Sequence, residues 1–484
     1  GERIGGKYLM GYKTIVGLEI HVELSTKTKA FCGCENAYGR EPNTCTCPVC
    51  LGLPGATPVL NKGAVERAIE IATAFHMRIN HKSTFSRKNY FYPDLTKGYQ
   101  ITQTDEAVAN DGYIEIETDD GPKKIGIHQI QLEEDTGKSL HTENGTTLMD
   151  YNRCGVPLVE IVSDPDMASG LEARLFLEKL RNTLRYLEVS DVKMEEGSLR
   201  CDVNVNIKNT ETGERSAISE VKNLNSFRAV EKAIDYEVAR QVELMEKGET
   251  ELRATRRWDD AENKTVVMRV KYTASDYRFA PEGDLGPLFI DDEWIEKVRA
   301  GMAELPDVKI ARFIDTYGLK EYDAKVICGS KKVADFYEEV AKHFTDYDML
   351  SNWFMTEFLR RVEVTDEGEM NVPFEGKDFA YLLEQIKSGK INNNAGKKVF
   401  RKMCEEGKKP KAIIEEEGLV QIGDASEIEA MVKEVLAENP ESVEQYKAGK
   451  DRVVGFLVGQ VMKKSRGKAN PQMANEMLVK LLNQ

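Results

Sequence analysis

The sequence predicts an α+β protein, with a strand-rich domain first and helical domains after it. Strict polar/apolar alternation, the period of a half-buried strand, is confined to residues before about 292. Beyond that point apolar residues recur at helical spacing. Behind the first alternating stretch stands a dense group of cysteines, five of the chain's nine lying between 32 and 50. The expected organisation is an N-terminal extension at 1–11, a sheet domain at 12–293, a helical domain at 294–410 and a small helical tail domain at 411–484.

A chain of 484 residues can bury a large core in several domains. Charged residues at 31% and hydrophobic ones at 41% are ordinary for a globular protein. A net charge of −15 argues against wrapping nucleic acid over the whole surface but leaves room for a local basic patch. No apolar run approaches the ~20 residues a bilayer span needs, and the start lacks the apolar segment of a signal peptide. A cytoplasmic location without membrane contact is therefore expected. An odd, clustered set of cysteines then reads as thiols around a metal, because a disulfide framework would spread them along the chain.

In chain order, Gly17-Leu-Glu-Ile-His-Val-Glu-Leu24 as a strand puts Glu19, His21 and Glu23 on one face and Leu18, Ile20, Val22 and Leu24 in a core. Cys32-x-Cys34 and Cys47-x-x-Cys50 supply four thiolates for a closed, structural zinc site, with Cys45 able to replace Cys47. Residues 63–77 have helical spacing. Residues 86–100 hold Pro93 and Gly98 and read as a structured loop. Its rings, with Arg87, Lys88 and Lys97, would suit a nucleotide or a tRNA end, or else simply pack on the surface.

Residues 113–118 and 123–133 form a hairpin about Asp119-Asp-Gly-Pro122. Downstream, Gly137-Lys-Ser139 imitates a phosphate-binding loop, but Leu132 stands where that motif needs glycine, which excludes it. Glu133, Glu134 and Asp135 remain as hard-cation ligands or as an acidic turn. Residues 165–189 read as an amphipathic helix. Leu199-Arg-Cys-Asp-Val-Asn-Val-Asn-Ile207 then alternates, with Arg200, Asp202, Asn204 and Asn206 on one face. A turn at 209–213 returns the chain as Ala217-Ile-Ser-Glu-Val-Lys222 and places Asp202 and Asn204 opposite Lys222 and Glu220.

Each such face alone is more often a solvated strand surface. Converging in one domain, Glu19, His21, Glu133, Glu134, Asp202 and Glu220 carry enough negative charge to need bound divalent cations. That is the equipment of an enzyme handling ATP phosphates with Mg²⁺.

Helical spacing continues through 294–305, 319–328, 332–344, 349–362, 376–387 and 395–406, then 427–437, 441–449, 453–463 and 471–482. From 387 to 411 stand nine Lys/Arg against two Glu, among them Lys397, Lys398, Arg401 and Lys402. Lys463, Lys464 and Arg466 form a second basic patch. Such patches make salt-sensitive phosphate contacts or are solvated helical faces. Pro471 after Asn470 opens the last helix.

Six stretches carry a resemblance: Gly17-Leu-Glu-Ile-His-Val-Glu-Leu24, Cys47-Pro-Val-Cys-Leu-Gly-Leu-Pro-Gly55, Arg87-Lys-Asn-Tyr-Phe-Tyr-Pro-Asp94, Leu132-Glu-Glu-Asp135, Leu199-Arg-Cys-Asp-Val-Asn204 and Glu220-Val-Lys-Asn-Leu-Asn-Ser-Phe227. In this order, from about Tyr12 to the C-terminus, the chain resembles the B subunits of the aspartyl/glutamyl-tRNA amidotransferases. The resemblance implies a mainly antiparallel, cradle-like sheet. It implies that ATP and Mg²⁺ are used to phosphorylate the side chain of Glu on tRNA(Gln) or Asp on tRNA(Asn), and that ammonia then displaces phosphate. The logic is sound, since a carboxylate is a poor electrophile and an acyl phosphate must be kept from water. Ammonia would come from a partner glutaminase, the A subunit, with a small C subunit completing a heterotrimer.

By the same resemblance the metal positions are Glu19, His21, Glu133, Glu134, Asp202 and Glu220. Lys222, Arg200 and Asn204 would contact phosphate or carboxylate. Asn89, Tyr90, Tyr92 and Lys97 would lie near the site or a channel mouth, and the helical tail would hold tRNA. The chain departs from many relatives at Gln131, at Thr96 and in Thr273-Ala-Ser-Asp-Tyr-Arg-Phe-Ala-Pro281. No amidase-type Ser/Gly motif or Cys-His glutaminase signature is present, so glutamine hydrolysis is expected elsewhere. The rival readings are a non-catalytic, zinc-bearing tRNA-binding or assembly subunit, and an archaeal-type relative specific for Glu-tRNA whose inserted domain has no room at this length.

Overall fold

In the computed structural model, which describes residues 11–270, 277–365, 368–420 and 425–483, the first alternating stretch becomes β1 (Tyr12–Glu23). It is followed by α1 (Lys62–Ala74), the short strands β2 (Arg78–Ile79) and β3 (Lys82–Ser83), and the hairpin β4 (Ser86–Asn89) and β5 (Tyr99–Thr102). A long hairpin, β6 (Ala109–Thr118) and β7 (Gly121–Glu134), precedes a small one, β8 (Lys138–His141) and β9 (Thr147–Asp150). Then come β10 (Pro157–Ser163), α2 (Gly170–Leu187), β11 (Leu199–Asn209), β12 (Ser219–Lys222) and α3 (Phe227–Glu246). The first unit ends with β13 (Ala254–Asp259), β14 (Lys264–Val270), β15 (Ala280–Pro281), β16 (Leu288–Phe289) and α4 (Asp292–Ala300).

Nine strands form one sheet in the order β14-β13-β12-β11-β1-β10-β7-β6-β2, with β1 at its centre. All neighbours run antiparallel except β12 and β13, which are parallel. Leu18, Ile20 and Val22 of β1 share a buried core with Val203 and Val205 of β11, Phe176 and Leu180 of α2 and Val230 and Ile234 of α3. Each such side chain stabilises the fold by about 1.5–3 kcal/mol relative to an exposed one. Because side chains alternate across a strand, filling one face with helices leaves the other to Glu19, His21, Arg200 and Asp202.

Several elements differ from expectation. The helix expected from residue 165 begins at Gly170, because Ser169 caps it: its hydroxyl accepts from Glu172 N at 3.1 Å while the Glu172 carboxylate accepts from Ala168 N at 2.7 Å. The expected loop at 86–100 is confined to 90–98, because its flanks pair as β4 and β5. β10, α3, β13 and β14 had no counterpart in the sequence pattern. Of the stretch 273–281 singled out in the sequence, residues 273–276 lie outside the described residues.

The chain divides into two units after Pro306. α4 belongs to the first, where Trp294 Nε1 donates to Glu66 of α1 at 3.0 Å. The second unit is helical, with a Phe-rich core (Phe336, Phe354, Phe358, Phe379, Phe400) and a smaller cluster of Ile428, Val432, Leu457 and Leu478. Helices Gly376–Lys387 and Pro471–Leu482 fall where their spacing places them. The continuous helix expected at 349–362 instead widens to a π turn at Phe354–Phe358, whose two Phe rings stack with centroids 4.4 Å apart. Among the described residues no helix is long and apolar enough to cross a membrane.

Candidate active site and metal centre

The register of the central strands assembles the polar face. Glu19 lies opposite Asp202 of β11, and His21 lies between Arg200 of β11 and Glu160 of β10. From β7, Glu133 brings Oε1 to 3.3 Å from His21 Nε2, and Glu160 Oε2 stands 3.9 Å from the same nitrogen. One potential ligand atom from each of the three lies within 4.8 Å of the others. Glu133 Oε2 accepts from Thr102 Oγ1 at 2.9 Å. Its Oε1 is buried and takes no hydrogen bond among the described residues, its contact with His21 being an ionic one. Burial alone would lower the His21 pKa, yet Glu133 and Glu160 outweigh it and lift it to about 9. Burial, then the neighbouring Glu133, pushes the Glu160 carboxyl to about 7.

A second group adjoins it. Asn204 Nδ2 donates to Glu19 Oε1 at 3.0 Å, while Asn204 Oδ1 is buried without a partner. Lys222 Nζ sits 2.5 Å from Asp202 Oδ2 and 3.1 Å from Glu220 Oε1. Burial opposes the lysine's charge, but these two acids raise its pKa. The hairpin therefore gathers Asp202, Asn204, Glu220 and Lys222 as the alternation requires.

Glu134 is not part of this face. Successive residues of β7 point to opposite sides, so Glu133 and Asp135 turn one way and Glu134 the other. Glu134 Oε1 accepts from Ile101 N at 3.0 Å and from Lys97, beside a cavity of about 120 Å³ that Cys32, Cys50, Leu53 and Tyr99 help to line. Arg200 is held by Asp135, Nη2 to Oδ2 at 2.7 Å, with Arg153 Nε 3.7 Å from the same oxygen. Against its burial, the two guanidinium groups keep Asp135 below the usual carboxylate range. Burial and then Asp135 lift Glu23 to about 9. Asn89 gives its side-chain amide to the Arg278 carbonyl at 2.6 Å. The Tyr90 phenol is raised by burial and by the charges of Asp94, Glu133 and Asp135. Tyr92 is exposed.

Sequence reasoning missed Glu160. Pro157-Leu-Val-Glu-Ile-Val-Ser163 is buried at five of seven positions and shows no clean alternation. The available signal was an acid inside a β-branched run, a costly position unless the group has a partner.

The cysteine lobe behind β1 meets expectation: Sγ atoms of Cys32, Cys34, Cys47 and Cys50 lie within 4.8 Å of one another, and Cys45 is not among them. All nine cysteines are free. The hydrogen bond from Cys32 lowers Cys50 to about 4. Thr96 Oγ1 donates to the Cys50 carbonyl at 2.8 Å, which ties the 90–98 loop to the lobe.

With this geometry in view, the comparisons with known proteins agree. The GatB/GatE catalytic domain model matches residues 14–296 and the GatB domain model residues 335–482. The B subunit of the aspartyl/glutamyl-tRNA(Asn/Gln) amidotransferase of Thermoanaerobacter sp. (strain X514) is 50% identical over 469 residues, 97% of this chain and 99% of that protein. Its Finegoldia magna counterpart is 48% identical over 469 residues, at 97% and 99% coverage, and that of Clostridium tetani 49% over 475, at 98% and 99%. The chain belongs to the GatB family of amidotransferase B subunits.

The basic residues picked from the sequence fall inside the matched GatB domain, and many are already paired. Lys397 lies 3.2 Å from Glu357, Arg401 3.9 Å from Glu405, and Lys464 2.7 Å from Glu434 and 2.6 Å from Glu438. Lys402 pairs with Glu417. Among the described residues Lys398, Lys463 and Arg466 pair with no carboxylate.

Proposed function

We propose that this chain is the ATP-dependent activating and amidating subunit of a tRNA-dependent amidotransferase. The observation that supports this best is the crowding of Glu133 and Glu160 about His21, with a buried carboxylate oxygen lacking any aligned donor. A cation is the missing partner for such a group. Its ligands would be His21, Glu133 and Glu160, with Glu19, Asp202 and Glu220 close by. Magnesium bound there would neutralise the ATP phosphates and hold them in line with the attacking carboxylate.

The remaining roles belong to the chain's own residues. Lys222, between Asp202 and Glu220, carries a cation towards the transferred phosphate or the substrate carboxylate, and Asn204 fixes Glu19. Arg200 is committed to Asp135, so its role is to orient that face and not to hold ligand directly. Tyr90 closes the face against water, which an acyl phosphate requires. Glu134 and Lys97, on the far side of β7, stand beside the cavity through which ammonia from a partner glutaminase, the A subunit, would approach. The four cysteines hold a structural Zn²⁺, since four protein ligands leave no open position for chemistry. A small C subunit completes the heterotrimer in the cytoplasm. Mischarged tRNA docks on the second unit through Lys398, Lys463 and Arg466, with Lys397, Arg401, Lys402 and Lys464 exchanging their acids for phosphates.

The test incubates the chain, alone and with its A and C subunits, with Glu-tRNA(Gln) or Asp-tRNA(Asn), ATP, Mg²⁺ and ammonium, and identifies the esterified amino acid by mass. Gln or Asn on the tRNA is the expected product. Its absence in both preparations would leave only the tRNA-binding, assembly reading.

A further inference from the structure

Lys29 lies between β1 and the first cysteines of the four-cysteine cluster, and it is completely buried. Its ammonium donates to the Cys45 carbonyl at 2.7 Å, to Cys50 Sγ at 3.5 Å and to the Tyr151 carbonyl at 3.5 Å. Among the described residues no carboxylate pairs with it. An ammonium taken out of water with only neutral carbonyls around it is costly, and it calls for a negative charge within reach. Among the described residues the cysteine cluster is the group in contact that supplies it. The need is mutual, because four thiolates around a divalent ion leave two negative charges in excess.

We infer that Lys29 is the built-in counter-cation of the four-cysteine metal centre, orienting Cys50 through an N–H···S hydrogen bond and offsetting the excess thiolate charge. This rests on the zinc reading of the cluster. Gly155 packs beside both groups: a Cβ added there would make ordinary contact with Lys29 Cδ at 3.5 Å and Cys50 Cβ at 3.4 Å. The same lysine joins the lobe to the acid-rich face. Through Tyr151 it holds the turn at 151–156, where Gly155 N donates to Asp135 O at 3.0 Å and Asp135 N donates to Val156 O at 2.8 Å. Ala30, next along the chain, donates to Gly155 O at 2.8 Å. Lys29 is thus a positioning residue for the metal, reaching the polar face only through this turn.

The experiment compares the full chain with Lys29→Met, Lys29→Gln and Lys29→Arg. Zinc per chain is measured after gel filtration, affinity by competition with a chelator, and the ligand field by Co²⁺ substitution. Wild type should hold one zinc per four-cysteine cluster. Met and Gln at 29 should weaken the metal about tenfold or more, the usual effect of removing an outer-shell partner. They should also move the sulfur-to-cobalt charge-transfer band to lower energy, because the thiolate loses the bond that stabilised its lone pair. Arg should restore most of both readouts. A wild-type chain that takes up no zinc would overturn the metal reading itself. A zinc-loaded wild type with Lys29→Gln matching it in affinity and spectrum would overturn the inference alone, even if Lys29→Met fails to fold. Lys29→Arg as weak as Lys29→Gln would equally overturn it, because charge would then not be what matters.

Discussion

Two buried groups of charges sit on opposite faces of the same sheet and behave in opposite ways. Under α3, Glu237 is saturated. Its oxygens take Arg240 at 2.8 Å, Arg256 at 3.0 Å, Gln241 at 3.0 Å and Thr265 at 2.5 Å, while Arg240 also holds Glu251 at 2.8 Å. Burial would raise the Glu237 pKa, but Arg240 and the hydroxyl donors drive it down to about 2. Around His21 the balance is reversed, with Glu133 Oε1 and Asn204 Oδ1 buried and unbonded, and Glu160 pushed up towards neutrality. The burial is similar and the number of acids comparable. What separates a structural ionic network from a candidate site is whether its charges are satisfied within the chain.

The comparison breaks most visibly in turnover. Glu133→Gln and Glu160→Gln should each lower amide formation by at least about a hundredfold, the several kcal/mol a positioned cation supplies to the transition state. Removing one of two crowded carboxylates relieves their repulsion but also takes a partner from His21, so the two changes offset and the melting temperature should move little. Steady-state product formation and thermal melting of the same preparations check both halves. A melting temperature that falls as steeply as the activity would place these acids with Glu237.

Glu237→Gln should do the reverse. Taking the acid from this buried network leaves the Arg256 guanidinium without its carboxylate, while Arg240 keeps Glu251, and costs about 3 kcal/mol. Denaturant unfolding should read that loss, while activity per folded molecule stays at the wild-type level.

The two groups should also leave opposite marks on stability against pH. Glu237 is depressed from 4.5 to about 2 on folding, so its contribution is complete above about 4.5 and disappears as pH falls towards 2. His21 is raised from 6.5 to about 9, so in metal-free protein its contribution is complete below 6.5 and disappears as pH rises through 9. Melting curves across both windows should show an acid limb missing in Glu237→Gln and an alkaline limb missing in His21→Gln. Saturating divalent cation should flatten the alkaline limb in the wild type, since a metal on the imidazole displaces its proton.

How much of this was legible in the sequence follows the same division. Alternation exposed β1, β11 and β12, because one face of each is polar and the other enters the core, and their hairpin register delivered Asp202 to Lys222 and Asn204 to Glu220. The Cys-x-Cys and Cys-x-x-Cys spacings delivered the four-cysteine cluster, because its members are local in the chain. Glu160 was hidden because β10 is buried on nearly every side chain and carries no period to read. Glu134 was grouped with Glu133 because two adjacent acids look like a pair in text, whereas a strand sends them to opposite sides. Lys29 and Asp135 are meaningful only through partners far along the chain, at Tyr151 and Arg200, and no local pattern encodes those contacts.

The smallest effects should fall on the basic residues of the second unit, and they extend the comparison from acids to bases. Lys402 and Lys464 are already engaged, by Glu417 and by Glu434 with Glu438, so a phosphate gains them only after their acids are released. Lys398, Lys463 and Arg466 have no such acid to leave among the described residues. Alanine at each position should therefore leave the melting temperature unchanged, as exposed ion pairs contribute little. tRNA affinity should separate them: the three unpaired residues should lower it more than Lys402 or Lys464 does. Each should also reduce the slope of log affinity against log salt by close to one, the signature of a lost phosphate contact. Equal losses at all five positions would mean that general field, and not the availability of each charge, governs binding. The rule drawn from His21 and Glu237, that function resides where charges are left unsatisfied, would then stop at the sheet.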